Sequence, residues 1–132
     1  MNILIGKIEK ITVNGSLSLV SIMVEQTLMN AIVIDTPQTA SYLQLGNIVN
    51  VIFKETEVII GKGTQHHISL QNKLTGNIKH LESGELLSKL ILETSAGKVT
   101  SIITTNAVNN LQLKEGTEVT AMIKTNELML SE

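Results

Sequence analysis

The chain repeats itself. Slid along its own length by 70 residues, it meets itself without a gap. Asn2 falls on Asn72, Leu4 on Leu74, Gly6 on Gly76 and Ile8 on Ile78. Further along, Ser18 falls on Ser88, Ile32 on Ile102, Leu43 on Leu113, Gly46 on Gly116, Val49 on Val119, Lys54 on Lys124 and Glu57 on Glu127. A constant offset with preserved alternation marks a duplicated structural unit. It divides the chain into two copies, residues 1–62 and 71–132, joined by a linker over 63–70. Whatever one copy folds into, the other must also fold into. A unit this short buries too little surface to be secure alone, so fusion and self-association are both expected to help it.

Each copy reads as strands. Val20, Ile22 and Val24 face one side while Leu17, Leu19, Ser21 and Met23 face the other, and Leu90 and Leu92 keep the same phase in the second copy. Alternation of period two with abundant β-branched residues favours sheet. Asn14-Gly15 and Ser83-Gly84 mark a hairpin turn after the first strand of each copy. Further strands are expected at 30–34 and 100–103, at 48–53 and 118–123, and at 57–60 and 127–130. One short helix is expected in each copy, at 35–43 and at 104–111. Asp35-Thr36-Pro37 is a strong helix-start signal, and Gly46 and Gly116 end the excursion. Three strands, a short helix and two strands predict an all-β chain of two tandem OB-like five-stranded β-barrels.

Composition removes several function classes. There is no cysteine, so neither disulfides nor thiolate metal sites are available. His66 and His67 are adjacent in the linker, where extended neighbours point oppositely, so no metal site is expected there. Charges are scattered around a net of -2, and Tyr42 and Phe53 are the only aromatics. A nucleic-acid groove needs cations and stacking rings, so no nucleic-acid partner is expected. The first residues lack the layout of a signal peptide, and no apolar run approaches the ~20 residues of a membrane span. The expected address is the cytoplasm, with no membrane partner. No nucleophile–base pair, motif-spaced carboxylate pair or metal-ligand cluster is present, so the chain does not read as an enzyme.

The close of the second copy, Leu111-Gln112-Leu113-Lys114-Glu115-Gly116-Thr117-Glu118-Val119-Thr120-Ala121-Met122-Ile123-Lys124-Thr125-Asn126-Glu127-Leu128-Met129-Leu130, resembles the molbindin (Mop) family. Domains of that family end in a pattern like LGLKEGDEVYALIKASEVML. The stretch Ser69-Leu70-Gln71-Asn72-Lys73-Leu74-Thr75-Gly76 is similar to the family's opening SARNQLKG, with Gln71 where the family has arginine. The resemblance covers the second copy fully and the first more weakly. It implies a cytoplasmic binding protein for molybdate or tungstate in molybdenum storage or homeostasis, with no organic cofactor. It also implies a homo-oligomer, a trimer, with the small oxyanion held at subunit interfaces. The same domain is appended to transporter ATPases and to regulators. A structural or sensing module with weak or no ligand binding is therefore the alternative.

The chemistry of such a site names its residues. A tetrahedral dianion needs several donors and few acceptors, and backbone N–H groups at a helix start supply them. Thr36 in the first copy and Thr104 and Thr105 in the second lie at the expected helix starts and add hydroxyls. The resemblance adds Ser69, Gln71, Asn72 and Lys73 from the opening motif, with Asn2 as the first-copy counterpart. Lys54 and Lys124 lie at equivalent places before the last strand of each copy and supply charge.

Overall fold

The structure is a computed structural model describing residues 1–132. The first copy forms β1 (Asn2–Asn14), β2 (Leu17–Val24), β3 (Thr27–Val33), β4 (Ile48–Phe53) and β5 (Ile59–Lys62). The second forms β6 (Asn72–Ser83), β7 (Leu87–Thr94), β8 (Gly97–Thr104), α1 (Thr105–Asn110), β9 (Glu118–Ile123) and β10 (Met129–Ser131). The expected alternation is realised. Ser18, Val20, Ile22 and Val24 of β2 are buried, as are Ser88, Leu90 and Leu92 of β7.

β1 and β6 are long because each serves two neighbours. β1 pairs with β4 through residues 2–7 and with β2 through residues 7–14. Its register with β2 slips between Ile8 and Lys10, and that of β6 with β7 slips between Ile78 and His80. A bulge bends its strand and sharpens the twist, which curls each sheet. A glycine precedes each bulge. A Cβ on Gly76 would sit 1.9 Å from the Glu93 carbonyl oxygen, so only glycine lets β7 approach that closely.

The last strands are exchanged. One sheet runs β10-β4-β1-β2-β3 and the other β5-β9-β6-β7-β8. Met129 pairs with Ile52 and Leu130 with Val51, while Ile59 pairs with Met122 and Lys62 with Val119. Each copy thus donates its fifth strand to the barrel of the other. The chain crosses over through two 3-10 turns, Glu55–Glu57 and Thr125–Glu127, with Lys54 and Lys124 as their first flanking residues. Val58 and Leu128 anchor the crossings in the interior. Ser101 Oγ of β8 donates to the Val58 carbonyl at 3.0 Å. One cluster of 24 buried apolar residues runs through both barrels. The repeats of sequence, 1–62 and 71–132, are therefore not two separate barrels in space.

The helix expectation needs correction in the first copy. Residues 105–110 form α1, with Val108 buried beneath it and the Thr104 hydroxyl accepting from the Ala107 N–H at 3.1 Å. Residues 35–43 form only turns. The position of Val108 is Gln38 there, which is exposed. Thr39 Oγ1 meanwhile accepts from the Thr36 N–H at 2.8 Å and donates to Asp35 Oδ1. Without an apolar anchor, local side-chain bonds of this kind win over a helix barely longer than its own nucleus.

Candidate functional site

The second crossover and the linker meet in a cleft. Ile68, Ser69, Leu70 and Gln71 form one wall, and Lys124, Thr125 and Asn126 form another. Leu19 of β2 and Ile32 of β3 complete it, giving a volume of about 510 Å³. Strand exchange creates this juxtaposition. Lys124 leaves the second barrel just as the chain turns toward the first, and the linker runs past the same edge. The lining holds one cation, four polar side chains and no carboxylate. Such a set offers donors to an anion and repels nothing that carries negative charge.

Of the residues expected from sequence, Ser69, Gln71 and Lys124 are brought together here. Lys73 lies in an adjoining cleft that shares Leu19, Ile68, Ser69, Leu70 and Gln71 with the first. The linker is not slack. The Gly63 carbonyl accepts from Thr120 Oγ1 at 2.7 Å, and Lys73 Nζ donates to the His66 carbonyl at 2.9 Å. His66 itself packs over Gly61, where a Cβ would come within 2.6 Å of its ring.

The other expected residues lie elsewhere and have partners of their own. Asn72 is fully buried; its Oδ1 accepts from the Asn30 N–H at 2.7 Å. Its Nδ2 donates to the carbonyls of Asn30 and Ile123 at 2.9 and 3.0 Å. Asn2 does the same to Thr100, accepting its N–H and donating to its carbonyl, both at 2.8 Å. Each asparagine thus fastens its own barrel to the third strand of the other. Thr104 caps α1, and Thr105 Oγ1 donates to the Gly84 carbonyl at 2.8 Å. Thr36 sits in the turn that replaces the first-copy helix, where its Oγ1 accepts from the Gln38 N–H at 3.3 Å.

Lys54 occupies the first crossover, which differs chemically from the second. Thr125 is replaced there by Glu55, whose carboxylate accepts from the Met1 ammonium at 2.8 Å. That bond is the main reason the Glu55 carboxyl is held below its ordinary range, with a further contribution from the charge of Lys89. The first crossover thus carries a carboxylate next in sequence to Lys54, where the second carries a hydroxyl next to Lys124. The two crossovers are alike in backbone, but the first carries two carboxylates, Glu55 and Glu57, where the second carries Glu127 alone.

Thr125, Asn126 and the wall residues Leu19 and Ile32 were not foreseen. Only cross-strand register places Leu19 and Ile32 beside the linker, and no local pattern reports that.

Comparison with known proteins agrees with this architecture. The family model described as the TOBE domain matches residues 68–130. The chain is 41% identical over 64 residues to molybdenum-pterin-binding protein 3 of Clostridium pasteurianum, covering 48% of this chain and 94% of that protein. It is 29% identical over 100 residues to the molybdenum-pterin-binding protein MopB of Rhodobacter capsulatus, covering 73% of this chain and 37% of that one. The whole fold superposes on the cytoplasmic molybdate-binding protein ModG, solved with molybdate bound. The TM-score is 0.90 and the identity 25%, covering 98% of this chain and 94% of that one. Duplicated, strand-exchanged, matched by the TOBE domain over its second copy and superposable on ModG over almost its whole length, the chain belongs to the Mop family of TOBE-domain proteins, in its tandem form.

Proposed function

We propose that this chain is a cytoplasmic oxyanion carrier that binds molybdate or tungstate and serves molybdenum storage or homeostasis. The observation that supports it is the meeting of Ser69, Gln71 and Lys124 in one cleft lined by no carboxylate. The named activities of ModG and the molybdenum-pterin-binding relatives point the same way. Fixed donors suffice to hold a tetrahedral dianion, so the reading requires no general base, no organic cofactor and no catalysis. Gln71 supplies an amide where the family carries a guanidinium, which lowers the charge facing the anion and weakens it relative to such members. The first crossover, with Glu55 beside Lys54, is the poorer site for an anion.

The reading includes assembly. Ile3, Ile5 and Ile48 stand 59%, 67% and 63% exposed on adjacent strands β1 and β4. Contiguous apolar surface of that kind favours a subunit contact. A trimer in which neighbouring chains close over the cleft is the arrangement proposed.

Calorimetric titration of the folded, assembled protein with molybdate tests the function. Saturable heat that disappears in Lys124→Ala, with little response to sulfate, is the expected result. A flat trace refutes it. A flat trace with unchanged melting temperature and recovery of a stable transporter or regulator partner would favour the sensing-module reading.

A further inference from the structure

We infer that the cleft adjoining the Lys124 site is a second oxyanion subsite, so that one chain holds two tetrahedral dianions side by side. The inference rests on the oxyanion reading above and extends it from the opening motif, through Lys73, to Lys10, Thr12, Ser21 and Asn30, which lie outside the motifs quoted above. The adjoining cleft has a volume of about 620 Å³ and shares a wall with the first. Its own polar lining is Lys10 and Thr12 of β1, Ser21 of β2, Asn30 of β3 and Lys73 of β6. No carboxylate lines either cleft.

The donors are prepared rather than merely present. Asn30 is held twice through its backbone by buried Asn72, at 2.7 and 2.9 Å. Its Oδ1 accepts from Ser21 Oγ at 2.8 Å, which fixes the amide and leaves Nδ2 with both hydrogens free. Lys73 spends one of its three hydrogens on the His66 carbonyl, so its ammonium is tethered with two donors remaining. Lys10 adds a second charge, and Thr12 a hydroxyl. A dianion between two ammonium groups and an oriented amide has donors on several sides and no competing acceptor charge.

The duplicated chain supplies an internal comparison. If this lining were only what the barrel needs, the other copy would carry it too. At the matching positions stand His80, Glu82, Ile91, Thr100 and Ile3. His80 lies 3.3 Å from Glu82 and 3.2 Å from Glu115, so that face is furnished with its own negative charge. The barrel is built equally well from either set. The cationic set occurs once, beside the one crossover whose lining is free of acid.

Native mass spectrometry of the full chain titrated with molybdate decides the matter, with Asn30→Asp as the main variant. This change is isosteric, keeps an acceptor for Ser21 and leaves the backbone bonds to Asn72 in place, but it replaces the donating amide with an anion. Two anions per chain are expected for the unaltered protein and one for Asn30→Asp. Lys10→Ala is expected to weaken the second uptake at least tenfold while leaving the first unchanged. Asn30→Thr, the residue of the other copy, serves as a folded control that also loses the second anion. One anion per chain in the unaltered protein, or two retained in Asn30→Asp, overturns this inference while leaving the Lys124 site standing. If no anion is bound by any form, both the inference and the functional reading fall.

Discussion

Removing the Asn72 side chain should show how firmly the two barrels hold each other. In Asn72→Ala three backbone groups lose their partner: the N–H and carbonyl of Asn30, and the carbonyl of Ile123. A buried polar group left without a partner costs about 1–3 kcal/mol. Ile123 is fully buried and bears that cost in full, whereas Asn30 is half-exposed and water takes up part of its loss. The sum is about 3 kcal/mol. Unfolding entropies near 2.1 cal/mol/K per residue turn this into a fall in Tm of about 10 °C for a chain of this length. Asn2→Ala breaks two bonds rather than three and should lose about half as much. Asn72→Asp keeps the acceptor but turns a carboxylate oxygen on two carbonyls. Its penalty should therefore exceed that of alanine at neutral pH and shrink as acid protonates the group. Calorimetric scans of the three variants supply the test. A fall of less than 3 °C for Asn72→Ala would mean that these bonds do not fasten the barrels, and the reasoning would fail.

Gly76→Ala should destabilise by more than 3 kcal/mol or prevent soluble expression, because the new methyl meets the β7 backbone rather than a yielding side chain; chemical denaturation measures it. Residues 71–132 produced alone leave β10 without β4 and β9 without β5, so they should associate in pairs by mutual exchange. Light scattering that finds a stably folded monomer would contradict this. The depressed Glu55 carboxyl adds stability that is present above its ordinary value of 4.5 and is lost as pH falls through its lower folded value. Glu55→Gln should therefore flatten the acid limb of the curve of Tm against pH below that value, and a curve parallel to the unaltered protein's would count against the ion pair.

Much of the fold was legible in the sequence because repetition and alternation are local. The phase of Val20, Ile22 and Val24 could be read directly, as could the hairpin at Asn14-Gly15, and both are present. The exchange of β5 and β10 could not be read. Two copies with the same pattern offer each barrel two equally suitable fifth strands, and sequence does not say which one arrives. The absent first-copy helix turns on one anchor, since Pro37 announces a helix while Gln38 gives it nothing to bury. In the candidate site, Ser69, Gln71 and Lys124 were visible through motif. Asn30, Ser21 and Lys10 were invisible because they share a face only through the registers of three strands. Asn2 and Asn72 were noticed as polar residues of a motif, while their bonds across the two barrels appear only in three dimensions.

The exchanged strands also set an order of completion during synthesis. β1 to β4 are made first, yet the barrel they begin has an open edge at β4 until residues 129–131 have been made. The second barrel receives β5 early and lacks only what its own copy supplies. The half translated first is therefore the half finished last. Until β10 appears, the nascent chain exposes a strand edge that any passing chain could pair with. Premature termination between Ile123 and Met129, which leaves β9 whole and removes β10, damages the opposite end of the polypeptide from the one that is missing.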